Sequence, residues 1–420
     1  MSTCSQRGFT DRRWFTIVSA IVFYLIANFS LHAQTYTVLH NFTNGQDGGG
    51  PSAGLTMDGA GNLYGTTIQG GNLQSCQYGC GTVFKMSRRN SAWIFTPLYA
   101  FLGASDGATP ASRLTIGANG TLYGTTGYGG SSIGITGSGV VFNLQPPAHF
   151  VGNTLGGWNE TVLYTFGGPP DGANPSGDIV FDAQGNLYGT TFNGGVDCDG
   201  DYYCGIVFEL TPHAGQWTET ILYSFTQRAD SQPLGVTIDA NGNLYGMTVN
   251  YNGAVFRLMP SGTGWIETTL YHFMGQPDAG VPDGDLIFDP AGNLYGTTVY
   301  GGINNDGAVF ELSPQGSGWT ESVIASLDGN DGSQPMAGLA RDAAGNLYGT
   351  TCYGGTTGRG TVFKLTPSGG SWTETTLHEF SGQDGNCPMG NLLLDASGNM
   401  YGTTADGGLY AVGVAFEITP

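Results

Sequence analysis

Charge is scarce in this 420-residue chain, which carries 12 Lys and Arg, 32 Asp and Glu, and 10% charged residues in all. With 40% hydrophobic residues beside so little charge, the chain is not held open by self-repulsion and can fill a large core. Basic residues are the scarcest, and no Lys/Arg stripe interrupts the formal net charge of -20. A surface of that sign repels phosphates, which argues against nucleic-acid partners. No helical periodicity is visible, and no Cys-x-x-Cys pair occurs, which weakens redox and zinc readings. Glycine is the exception to scarcity: 73 residues without a three-residue period exclude collagen and point to many tight turns.

The one long apolar run lies at the start. Arg7, Arg12 and Arg13 precede an apolar stretch from Trp14 to Leu31, and Leu31-His32-Ala33 offers a cleavage site before Gln34. Residues 1–33 therefore read as a signal peptide, leaving 34–420 as the folded domain. Arg12-Arg13 before Trp14-Phe15 resembles a twin-arginine signal, whereas the greasy run favours ordinary Sec export. Uncleaved, the same run is long enough to act as an anchor, and no second stretch of that length follows. The expected location is secreted, cell-surface or periplasmic. Without the signal, 9 Lys and Arg face 31 Asp and Glu. Cys4 leaves with it, and Cys76, Cys80, Cys198, Cys204, Cys352 and Cys387 remain, an even set that fits disulfides in an oxidising compartment.

Internal recurrence decides the architecture. Gly61-Asn62-Leu63-Tyr64-Gly65-Thr66-Thr67 returns around Tyr123, Tyr188, Tyr245, Tyr295, Tyr348 and Tyr401, at spacings of 59, 65, 57, 50, 53 and 53 residues. Such a period without helices predicts the blades of a propeller. In the third copy, strands are expected over 179–182, 186–191, 206–210 and 218–225. Trp93, Trp158, Trp217, Trp265, Trp319 and Trp372 each open a fourth strand, giving six for seven blades. The missing one is Tyr36 to Phe42, while the chain ends on a third strand, Val414 to Ile418. The sequence thus predicts an all-β, seven-bladed β-propeller of four-stranded antiparallel blades. Its first strand joins the last blade and hides the open edge.

The Asp-Gly-x-x-Pro loop, the Asp-x-x-Gly-Asn-Leu-Tyr-Gly-Thr-Thr core and the Gly-x-Val-Phe-x-Leu strand together resemble the GloVer-type tandem repeat of exported bacterial proteins. More distantly they resemble NHL-type propeller repeats. The resemblance spans residues 36–420 and implies export, often with surface attachment. It carries over no catalytic residues.

Strand parity places the second-to-third loops and the links between blades on one face. Loop lengths there are uneven: 13, 12 and 13 residues in the first three blades, 4 in the fourth and 8 in each of the rest. Long loops on one side of a ring make a wall suited to binding. Cys76–Cys80 and Cys198–Cys204 are expected to staple two of them, and Cys352 and Cys387, in neighbouring links of the same face, are candidates to pair too. Tyr128, Tyr300 and Tyr353 share a loop position, with Tyr251 nearby and Tyr78, Tyr202 and Tyr203 on the wall. Exposed rings suit sugar faces or apolar partner residues, although the same rings can simply pack over neighbouring loops. Asp197, Asp199 and Asp201 space oxygens as a calcium loop does, yet no bidentate Glu follows, so a solvated acidic loop competes with Ca²⁺ binding.

Asp47, Asp106, Asp171, Asp230, Asp278, Asp331 and Asp384 recur once per blade, either concentrating cations near a channel or capping their own turns. Gly50-Pro51-Ser52-Ala53-Gly54 and Gly103-Ala104-Ser105-Asp106-Gly107 match a nucleophile-elbow pattern but precede no helix. His40, His272 and His378 fall in different outer strands. The leading expectation is a monomeric, non-enzymatic module that binds a polysaccharide or cell-surface protein. A carbohydrate-active hydrolase or lyase using acids near the channel, and a passive surface component, are the alternatives.

Overall fold

Every copy of the repeat closes on itself as one four-stranded antiparallel sheet, seen here in a computed structural model. It describes residues 34–420 except Ser91 and residues 132–136, 148–149, 152–153, 156 and 197–203. The proposed signal peptide lies outside the described residues. Tyr36–Thr419 form one compact unit. In blade III the strands are Gly172–Phe181, Leu187–Gly194, Ile206–His213 and Gln216–Ser224, in that spatial order. Among the described residues no helix is long and apolar enough to cross a membrane.

The recurring letters have local reasons. Asp182 Oδ1 accepts the backbone N–H groups of Gln184 and Asn186, both at 2.9 Å. Its Oδ2 accepts Asn186 Nδ2 at 2.8 Å and the Tyr188 hydroxyl at 3.1 Å. One carboxylate thus fixes the first hairpin and aims the tyrosine, which is why Asp, Gly, Asn and Tyr travel together. The glycine after that tyrosine answers to packing: a Cβ on Gly402 would stand 2.5 Å from the Phe416 ring. Phe416 and its counterparts Phe84, Phe208 and Phe363 are fully buried.

Blades are joined ring to ring. Phe101 meets Phe142 with centroids 5.1 Å apart, and Phe273 meets Phe310 at 4.9 Å. These edge-on contacts add to the burial of two large apolar groups. Blade VII consists of Leu393–Leu394, Met400–Thr404, Val414–Thr419 and, outermost, Thr35–Asn41. Val38 and Phe416 therefore lie in one sheet, and the ring is closed by the first strand of the described chain, as the phase of the repeats requires. The junctions beside it are ordinary ones, Phe380 to Phe416 at 5.4 Å and Phe42 to Phe84 at 5.2 Å. The Thr403 hydroxyl donates to Ala53 O at 2.8 Å, a bond that spans the two ends of the chain.

Cys76–Cys80 and Cys352–Cys387 are disulfides, and Cys204 is disulfide-bonded too; its expected partner Cys198 lies outside the described residues. The second bridge ties a blade VI loop to the link entering blade VII. It encloses 35 residues, so chain-entropy arguments give it about 3–4 kcal/mol. Cys352→Ser should lose that amount in urea unfolding. A loss below about 1 kcal/mol would mean that packing alone holds this junction.

Candidate functional site

The tyrosine loops are held by backbone and present their rings outward. In blades II, V and VI the second threonine of the repeat donates its hydroxyl two residues ahead. These bonds run from Thr126 to Tyr128 O at 2.9 Å, from Thr298 to Tyr300 O at 2.8 Å and from Thr351 to Tyr353 O at 2.9 Å. The link from the preceding blade pairs with the same segment, as in Tyr353 N to Ser333 O at 3.1 Å and its reciprocal bond at 2.8 Å. The main chain is thus pinned on both sides, and the side chains are left partly exposed. Tyr78, Tyr128, Tyr251, Tyr300 and Tyr353 are all exposed, from 43% at Tyr300 to 68% at Tyr251. Tyr202 and Tyr203 lie outside the described residues.

The exposure is one-sided. Fifteen large apolar side chains are exposed among the described residues, and twelve of them belong to the loops and links of this face. The other three, Ile94, Ile221 and Ile266, stand on fourth strands. None belongs to the hairpins of the opposite face. Exposed apolar side chains are ordinary on a protein surface; their restriction to one face and to fourth strands is the distinctive feature among the described residues.

The recurring aspartates of the links are consumed by the fold. Asp106 accepts the Tyr99 hydroxyl at 2.9 Å and Leu102 N at 2.8 Å, and Asp278 accepts Tyr271 at 3.0 Å and Met274 N at 2.7 Å. In blades VI and VII a histidine takes the place of the tyrosine. His378 and His40 each set Nε2 3.0 Å from their aspartate, Asp384 and Asp47. Asp47, Asp106, Asp171, Asp278 and Asp384 thus cap their turns against fourth, outer strands, and none of the seven recurring aspartates lines the axial cavity. Burial lowers the pKa of both histidines despite the adjacent carboxylates. Ser52 and Ser105 lie in links and enter no helix. Asp197, Asp199 and Asp201 lie outside the described residues; among those described, no group of three His, Cys, Asp or Glu side chains is arranged to hold a metal ion.

The axis carries a constellation that the sequence reading did not single out. A cavity of about 230 Å³ is lined by all seven blades, through residues within or just before each first strand. One position of the repeat supplies Gly54, Arg113, Asp178, Gly235, Asp285, Gly338 and Asn391 in turn. Large polar side chains alternate with glycine, because each glycine yields space to a neighbour. A Cβ on Gly235 would stand 2.9 Å from Asp285 Oδ1, and one on Gly338 2.8 Å from the Asp285 backbone. Seven positions cannot alternate perfectly, so one adjacent pair of large residues must remain. That pair is Arg113 and Asp178, joined from Nε to Oδ2 at 2.7 Å and from Arg113 N to Oδ1 at 2.8 Å.

Asn391 closes the set by donating Nδ2 to Asp285 Oδ2 at 2.6 Å while its Oδ1 accepts Gly338 N at 2.5 Å. In blades III and V a β-bulge sits at this point, and bulges re-aim side chains. Here the bulge turns Asp178 and Asp285 onto the axis. Burial, and then the negative charge of Asp178, push the Asp285 carboxyl well above the usual carboxylate range, against the pull of Arg113 and Asn391. Burial likewise raises Asp283 to about 6, opposed by its bond from Gly284 N. Two carboxyl groups, Asp178 and Asp285, thus line the cavity beside one guanidinium. The signal available in the sequence was the one register at which seven otherwise matching copies differ in charge and size.

A model of the Gloeobacter/Verrucomicrobia repeat matches residues 25–203, 150–286 and 196–416. The chain belongs to this repeat family. No curated protein sequence matches it. Among solved structures, the Gloeobacter/Verrucomicrobia repeat ring is similar to a protein of Bacteroides uniformis ATCC 8492 provisionally named a 6-phosphogluconolactonase. Their identity is 17%, coverage is 77% of this chain and 84% of that one, and the TM-score is 0.51. A protein of the same provisional name from Bacteroides fragilis NCTC 9343 is 16% identical over 78% and 82% of the two chains, with a TM-score of 0.49. At these identities the likeness concerns the fold alone.

Proposed function

We propose that this protein is an exported binding propeller that recognises a polysaccharide at the cell surface through its loop face. The observation that carries the reading is the confinement of exposed aromatic and apolar side chains to that face, on loops whose main chains are fully tied. Flat rings fixed in this way can take the apolar face of a sugar with little loss of side-chain entropy. Export is supported by the disulfides and by the character of residues 1–33. A glycan array with the mature protein tests the reading. Tyr300→Ala combined with Tyr353→Ala should weaken binding at least tenfold, about 1.4 kcal/mol. Unchanged binding by the double variant would overturn it, and capture of a cell-surface protein instead of a glycan would replace the ligand class.

A second reading, a carbohydrate hydrolase or lyase, is favoured by one observation: Asp178 and Asp285 line one cavity, where burial lifts the Asp285 carboxyl above the usual carboxylate range. Release of reducing ends or unsaturated sugars from polysaccharide would establish it. Silence in both assays would leave a passive surface component.

A further inference from the structure

We propose that the axial cavity is a binding pocket for one neutral, polyhydroxylated unit, such as the terminal residue of a glycan. The inference rests on the polysaccharide reading but concerns a different set of residues. Size comes first. At about 230 Å³ the cavity falls below the range of drug-sized ligands and has room for a single small ring rather than a peptide segment.

Its chemistry selects further. Asp178, Asp283, Asp285, Asn391 and Arg113 place carboxyl, carboxamide and guanidinium groups around one space. Each is a planar group that can engage two neighbouring hydroxyls at once. Capacity remains unspent. Arg113 engages Asp178 through Nε, with no hydrogen bond from its two terminal nitrogens among the described residues, and Asp283 uses one oxygen on Gly284 N at 2.8 Å. Beside these groups, Met336, Met389, Leu234 and Ala53 supply apolar lining, which suits the C–H face of a sugar ring.

Charge argues for a neutral occupant. Arg113 offsets Asp178, and Asp285 is held toward its protonated form. A cation would lack a full set of oxygen ligands, since no three acidic side chains are arranged for one among the described residues. An anion would meet three aspartates. A polyol meets donors and acceptors of both kinds. In blade V the cavity residues Asp283 and Asp285 stand between the tyrosine-loop end of the strand, where Gly280 pairs with Tyr300, and its hairpin end, where Phe288 pairs with Leu294.

The test is saturation-transfer NMR and calorimetry on the mature protein with glucose, galactose, mannose and N-acetylglucosamine, with glucuronate as the charged control. Saturable binding of at least one neutral sugar is expected, weakened at least tenfold by Met389→Trp, which fills the cavity. Asp283→Ala should act in the same direction; Asp283 makes no bond between blades, so this variant is expected to fold as the parent does. Tyr300→Ala with Tyr353→Ala should leave monosaccharide binding intact. No saturable binding of any neutral sugar, or binding indifferent to Met389→Trp, would overturn the proposal. Failure of the polysaccharide reading shows separately, as array binding that survives the tyrosine changes.

Discussion

Phe42→Ala should cost this protein about 3–5 kcal/mol, as loss of a fully buried phenylalanine does. It should also broaden the unfolding transition. The reason is the place of Phe42 in the ring, not its size alone. Its ring is fully buried and meets Phe84 of blade I at 5.2 Å and Phe95 at 5.7 Å. Phe42 N donates to Gly413 O at 3.1 Å, and Asn41 Oδ1 accepts Leu409 N at 2.9 Å. Further up the same strand, Tyr36 stacks on His378 at 3.9 Å and donates its hydroxyl to Asp384 O at 2.6 Å. His40 stacks on Phe95 at 4.0 Å.

One strand therefore grips blade VI on one side and blade I on the other. Removing residues 34–42 would strip all of these contacts and expose two blade edges, and the remaining chain should not unfold as one cooperative unit. Urea unfolding followed by tryptophan fluorescence and by circular dichroism checks this, because a sealed ring gives coincident curves. Ile266→Ala, half-exposed on a fourth strand, is the control and should change stability by less than about 0.5 kcal/mol. A Phe42→Ala variant as stable as that control would refute closure by the first strand.

The melting temperature should fall as pH is raised from 5 to 8. Glu160, Glu219 and Glu374 are pushed up to about 7 and Glu321 to about 8, chiefly by burial and then by a neighbouring aspartate. The aspartates are those that cap the link turns: Asp106 beside Glu160, Asp171 beside Glu219, Asp278 beside Glu321 and Asp331 beside Glu374. Each junction thus confronts two carboxyls in poor solvent, and one keeps its proton. A folded-state pKa above the unfolded value means that the native state binds protons more tightly between the two. The stabilisation is complete below the unfolded value of 4.5 and is lost as pH rises through about 7.

His40 and His378 pull the other way, since their lowered values remove stability as pH falls. Two weak contributions oppose four stronger ones, so the net slope is downward. Changing all four glutamates to glutamine, which keeps the shape without needing a proton, should reduce the slope to what Asp283 and Asp285, also raised by burial, contribute. A wild-type melting temperature that is level or rising across this window would contradict the arrangement.

Much of this was legible in the sequence because each feature was written seven times. Asp182, Asn186 and Tyr188 lie within one hairpin, so their bonds follow from spacing alone, and recurrence separates such backbone requirements from chance. The phase of the ring followed from a count, six tryptophans for seven blades. The shared position of Tyr128, Tyr300 and Tyr353 was visible in the repeat, whereas their exposure came from the structure. The aspartates of the links read as turn caps more readily than as a channel ring, because they recur in all seven units. Only the positions of Tyr99 and Tyr271, on fourth, outer strands, decided for the caps.

The sequence by itself determined the blade, the number of blades, the strand that closes them and the face that carries the long loops. Those properties come from short-range spacing and from counting, which a linear chain displays openly. The tertiary structure alone decided what stands on the axis. Asn391 meets Asp285 across 106 residues of chain, and Arg113 meets Asp178 across 65. Such meetings depend on bulges that turn a side chain inward and on how seven blades share one narrow space, and neither has a local signature.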